Sequence, residues 1–173
     1  MSTGYFEFWA RTRVHCAVGA TVRLPALLAG LGAKRVLLLS DQGLAKIGMV
    51  EKVAAVLRDA AAGNQFVLAG VYTDILPDAG SNSVNAATAY ARSVGADAIV
   101  ALGGGSAMDV AKGVKFALAH GLTDICEAVA AGTLRATDKG VGEVATRFDA
   151  LMTFTSLRLG RRLGTEVTPL LSR

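Results

Sequence analysis

Apolar positions along this chain follow two alternating rhythms. Residues 36–39, the core of QFVLAGVY (65–72) and the core of DAIVALG (97–103) are short, unbroken apolar runs. That is the pattern of parallel strands covered on both faces. Between them lie stretches of helical period. Residues 48–62 place Val50, Val53, Ala54, Leu57 and Ala61 on one stripe, with Gly63 as the stop. Residues 84–94 predict a second helix closed by Gly95, and AMDVAKGVKFALAHG (107–121) a third. Upstream, LPALLAGLG (24–32) reads as a short helix with Pro25 near its start and Gly32 at its end.

The ends of the chain are less regular. Residues 5–18 carry two β-prone runs around residues 10–12 and predict an N-terminal β-hairpin. Beyond Gly121, residues 124–131 predict one more helix with Asp124 near its start. A polar, Gly-rich loop (132–149) and a further strand in ALMTFTS (150–156) follow, and LRLGRRLGTEVTPLLSR (157–173) has no clear period. The alternation of strands and helices predicts an α/β fold, a Rossmann-like, doubly wound, mostly parallel sheet with right-handed crossovers. The expected division is one α/β domain over residues 1–154 and a divergent tail over 155–173.

Composition narrows the function classes. The chain has 173 residues, 52% of them hydrophobic and 18% charged, which suits one domain with a substantial core. The net charge of +4 is spread evenly, with nine basic and seven acidic residues on each side of position 100, so no basic stripe points to nucleic acid. Arg158, Arg161, Arg162 and Arg173 form a local excess that reads as a solvated tail. Cys16 and Cys126 make neither a disulfide framework nor a metal knuckle, and His15 and His120 stand without a second ligand at metal spacing. Glu7, Arg11 and Arg13 interrupt any early signal-like run, and no stretch approaches the ~20 apolar residues of a membrane span. A soluble cytoplasmic protein without a membrane partner is expected.

The candidate chemistry lies at the end of the third strand. Gly103, Gly104, Gly105 and Ser106 follow it directly and open a helix. Adjacent glycines there let a phosphate approach the backbone, where amide groups and the helix N-terminus attract it, and the Ser106 hydroxyl can donate to the same group. A tight turn whose glycines serve only packing fits the same pattern. Asp41, just past the first strand, can accept ribose hydroxyls or cap the turn SDQG, and both readings stand. Asp109 and Lys112 are spaced for an exposed helical ion pair.

GADAIVALGGGSAMDVAK (95–112) closely resembles the glycine-rich signature of the iron-containing (group III) alcohol dehydrogenases, GGGSxxDxAK, which residues 103–112 match at every defined position. LGAKRVLLLSDQGLAKIGMVEKV (31–53) resembles that family's first strand, turn and helix. VYTDILPDAGSNSV (71–84) resembles its Pro-Asn-Pro loop, with Asp78 in place of the Asn and Ala79 in place of the second Pro. The resemblance implies that Asp41, Gly103, Gly104, Gly105 and Ser106 bind a dinucleotide, with Asp109 part of the same motif. It implies NAD rather than NADP, since an acidic residue at position 41 repels a 2′-phosphate.

In the family a helical C-terminal domain holds iron or zinc, which polarises the alcohol or aldehyde oxygen during hydride transfer. Met152, Thr153 and Phe154 resemble the start of a further family segment and Glu166, Val167, Thr168 and Pro169 its end, but TSLRLGRRLGT between them does not. No Asp and His ligands of the metal domain have a counterpart in the sequence. The resemblance therefore implies the nucleotide-binding half of such an enzyme, truncated and incomplete for catalysis. The alternatives are a non-catalytic dinucleotide-binding fragment or interaction module, and a flavodoxin-like mononucleotide binder. An exposed apolar domain face predicts a homo-oligomer or self-association.

Overall fold

The computed structural model describes residues 12–61, 63, 66–130, 149–153 and 167–171. In chain order these form β1 (Thr12–Cys16), a 3₁₀ turn (Ala20–Arg23), α1 (Leu24–Gly30), β2 (Arg35–Leu39), α2 (Gln42–Lys46), α3 (Met49–Ala61) and β3 (Val67–Tyr72). They continue with α4 (Ser81–Ser93), β4 (Ala98–Leu102), α5 (Gly105–His120), α6 (Cys126–Ala130), β5 (Asp149–Thr153) and β6 (Val167–Leu171).

Four strands make one parallel sheet in the order β3-β2-β4-β5. Its centre is as apolar as the sequence requires, because helices cover both faces. Val36 and Leu38 of β2 with Val100 and Leu102 of β4 point to α1 and α3, where they meet Leu24, Leu28, Val53 and Leu57. Leu37 and Leu39 with Ile99 and Ala101 point the other way, to Ala87 and Ala91 of α4 and Val110 and Val114 of α5. Strand alternation thus divides one hydrophobic run between two cores. This is the doubly wound α/β arrangement expected.

Two glycines set how closely the layers approach. A Cβ on Gly113 of α5 would lie 2.8 Å from Val84 Cγ1, so the absence of a side chain lets α4 and α5 pack. A Cβ on Gly70 would lie 2.9 Å from the Tyr90 ring, at the strand whose register against β2 shifts between Val36 and Leu37. At the base of the sheet the Asp97 carboxylate accepts from the Lys34 and Arg35 N–H groups, and the Arg35 side chain donates to the Val94 carbonyl. These bonds tie the entry of β2 to the end of α4.

The helix expected over 84–94 begins earlier, at Ser81, because Gly80 in extended conformation starts the turn. The helix expected over 124–131 is α6, with the Asp124 carboxylate accepting from the Cys126 N–H at 2.9 Å. β1 lies within the expected hairpin; the first arm falls outside the described residues. Its described partner is β6, antiparallel, with Thr12 opposite Leu171, so part of the segment read as a tail is a strand. Most of the loop expected over 132–149 also lies outside the described residues. Among the described residues no helix is long and apolar enough to cross a membrane.

Candidate functional site

The sheet order places a crevice where the chain changes direction. From β2 it crosses to β3 on one side and then returns to β4 on the other. The carboxyl ends of β2 and β4 are therefore neighbours with their loops diverging, and ligands of open α/β sheets bind in such crevices. A cleft of about 570 Å³ lies there, within the range of small-molecule sites. Residues 41–43 after β2, 74–77 after β3 and 104–107 at the start of α5 line it.

The glycines of the turn divide into two kinds. Gly103 has φ 150°, and a Cβ there would meet Ala107 Cβ at 2.8 Å and Asp41 Oδ2 at 3.4 Å. It is a packing glycine. Gly104 and Gly105 have nothing within 4 Å of a built Cβ, so protein packing does not require them. They are exposed, and only Gly104 and Gly105, not Gly103, line the cleft. Gly104 starts α5 without any side-chain cap, which leaves the positive end of a 16-residue helix open to the cleft.

Ser106 follows on the first turn of α5. Its Oγ accepts from the Asp78 backbone N–H at 3.2 Å. With an acceptor lone pair used in this way, the hydroxyl proton can be donated to a group in the cleft. Asp78 itself has φ 57°, a left-handed conformation that Asp tolerates better than most residues.

Of the two roles left open by the sequence, Asp41 fills the cap, from a position on the cleft wall. Its Oδ1 accepts from the Leu44 N–H at 2.9 Å and caps α2. The same carboxylate lines the cleft and lies beside Gly103. Ser40, fully buried before it, donates from Oγ to the Leu102 carbonyl at 2.8 Å and locks the two strand ends together. Asp109 is not brought to this group. It lies further along α5, its side chain 62% exposed and 2.9 Å from Lys112 Nζ, the helical ion pair that its spacing allowed.

The sequence reading missed Gln42 and Asp74. Gln42 Nε2 donates to Thr73 Oγ1 at 3.0 Å and to Asp74 Oδ1 at 2.8 Å, joining two loops that line the cleft. Burial, and then the Asp74 charge, raise the Tyr72 hydroxyl above the usual phenol range. The only signal available was that Asp74 lies just beyond a strand end, where clefts form. Among the described residues no three His, Cys, Asp or Glu side chains gather to hold a metal. His120 instead stacks on Phe116 at 4.2 Å.

The sequence pattern of iron-containing alcohol dehydrogenases matches residues 11–147. The chain belongs to this family. It is 37% identical to a long-chain-alcohol dehydrogenase of Geobacillus thermodenitrificans over 98 residues, 57% of this chain and 24% of that protein. It is 30% identical to a 4-hydroxybutyrate dehydrogenase of Cupriavidus necator over 135 residues, 78% of this chain and 34% of that protein. The chain thus spans about a quarter to a third of the length of these relatives. The solved structure of a 1,3-propanediol oxidoreductase superposes with TM-score 0.53 at 30% identity, covering 59% of this chain and 25% of that one. An archaeal alcohol dehydrogenase from a Red Sea brine pool shares the fold, with TM-score 0.59 at 21% identity, 79% of this chain and 33% of that one being covered.

Proposed function

We propose that the cleft binds a nicotinamide dinucleotide, NAD in preference to NADP, as the nucleotide-binding part of an iron-type alcohol dehydrogenase. The observation that carries this reading is the open space at Gly104 and Gly105 before the uncapped start of α5. A pyrophosphate can approach that backbone without meeting a side chain. In this reading Ser106 donates to a phosphate oxygen, and Asp41 accepts from the adenosine ribose while repelling a 2′-phosphate. The bound dinucleotide would supply or accept the hydride exchanged with an alcohol, aldehyde or ketone. Asp109 does not line the cleft and has no part in this reading.

The described residues do not fit a catalytic metal, since no donor set is gathered among them. We propose that these residues bind cofactor and do not turn over alcohol unaided. A module that binds dinucleotide without catalysis is the second reading. Metal-dependent alcohol oxidation by the purified chain would overturn the claim of no unaided turnover and, with it, the second reading. Calorimetric titration with NAD is expected to give saturable heat. No heat and no thermal shift at millimolar NAD would sink the binding proposal.

A cytoplasmic location and self-association belong to the same reading. Val18, Val22 and Ile47 are large apolar side chains left exposed outside the cleft, and the proposed homo-oligomer would cover part of that surface. Light scattering that reports a monomer over a wide concentration range would count against it.

A further inference from the structure

The cleft has an electrostatic character that Asp41 alone does not explain. Its walls carry two carboxylates, Asp41 and Asp74, and no Lys, Arg or His. They stand on different loops, one after β2 and one after β3. Gln42, the residue next to Asp41, reaches across and holds Asp74 Oδ1 at 2.8 Å while also bonding Thr73 Oγ1 at 3.0 Å. An exposed Asp on a loop normally samples several rotamers, and this amide restricts it to the side of the cleft. Gln42 donates to one carboxylate oxygen and carries no charge, so it orients Asp74 without neutralising it. Asp78 has its backbone N–H on Ser106 and its side chain does not line the cleft. Lys46, the cation in the last turn of α2, does not line it either.

We infer that Asp74 is a second specificity-determining carboxylate of this site, positioned by Gln42, and that it works with Asp41 to exclude dinucleotides bearing a phosphate on the adenosine ribose. The inference rests on the dinucleotide reading above and adds a residue to it. A 2′-phosphate carries roughly two negative charges at neutral pH, and a site with a pair of fixed carboxylates and no cation repels it twice. A ribose hydroxyl in the same place can donate to either carboxylate.

The test is titration of the full chain and of Asp74→Asn with NAD and with NADP, at low and at high salt. Asp74 is exposed and its change to Asn keeps shape and polarity, so circular dichroism and melting should be unchanged. The expected result is that Asp74→Asn narrows the NAD-over-NADP ratio by about threefold, the scale of an exposed charge interaction. The change should come from tighter NADP binding, with NAD little altered. Added salt should narrow the ratio of the unsubstituted chain and have less effect on the variant, because screening acts on charge and not on shape. Gln42→Ala should narrow it as well, by releasing the carboxylate. An unchanged ratio in Asp74→Asn, with NAD still bound, overturns this inference and leaves the dinucleotide reading intact. Failure of the unsubstituted chain to bind either dinucleotide overturns both.

Discussion

The Asp78 backbone N–H donates to the Ser106 Oγ at 3.2 Å, and this bond joins the loop after β3 to the first turn of α5. It ties two walls of the cleft together and directs the hydroxyl proton away from Asp78. Replacing Ser106 with Ala should lower NAD affinity by roughly tenfold, the scale of a hydrogen bond to a charged group. Thermal stability should change little, since the exposed Asp78 N–H can bond water. Titration calorimetry beside a melting curve checks both. Unaltered affinity would remove Ser106 from the site.

The two kinds of glycine in the turn predict opposite phenotypes. Gly103→Ala places a Cβ 2.8 Å from Ala107 Cβ at φ 150°, and should destabilise the fold by about 2 kcal/mol or more. Gly104→Ala meets open space and should leave the melting temperature nearly unchanged. The same methyl would stand between ligand and backbone, so NAD binding should weaken by about tenfold or more. A stable Gly104→Ala variant with full affinity would restore the packing explanation for all the glycines.

Helix contact on the far side of the sheet is equally specific. Gly113→Ala gains about 1 kcal/mol of helix propensity yet drives a methyl to 2.8 Å from Val84 Cγ1. Overpacking of that kind costs roughly 1–3 kcal/mol, so a net loss is expected on chemical denaturation. Combining it with Val84→Ala should recover part of the loss. Additive losses in the double variant would show that the two positions are not in contact.

Asp124 gives a pH-dependent corner. The Asn85 amide, and then the Cys126 N–H, hold its carboxyl below the usual Asp range. A carboxyl held low in the folded state stabilises above its unfolded pKa, about 3.9, and loses that contribution as pH falls through the folded value. The corner between α5 and α6 should therefore be insensitive from neutral pH to about 5 and loosen below about 4. NMR titration of the Ile125 and Cys126 amides should show a transition below the usual Asp range, absent in Asp124→Asn. A midpoint at or above the usual value would contradict the bonds drawn here.

Much of the fold is readable from local periodicity. Residues 36–39 and 97–103 are apolar throughout because both sheet faces are covered, and residues 48–62 carry a single stripe because α3 is covered on one. The glycine run and Ser106 stood out for their position between strand and helix. α2 did not, because QGLAK is a single helical turn, too short for a period and held chiefly by the Asp41 cap and its neighbours. Nor did the pairing of β1 with β6, whose partners lie at opposite ends of the chain.

What the sequence alone determined, then, is the alternation of elements, the two-faced core and a glycine-rich turn between strand and helix, together with the family resemblance of that turn. These depend on neighbours a few positions apart, and hydrophobic period and glycine content record them directly. Only the tertiary structure decided that Asp41 and Asp74 share one cleft, and that Gly103 serves packing while Gly104 and Gly105 face open space. Those relationships follow from the order β3-β2-β4, which brings loops separated by dozens of residues to one edge of the sheet. Burial favours a sheet covered on both faces and right-handed crossovers limit its order, and the loop residues themselves record neither.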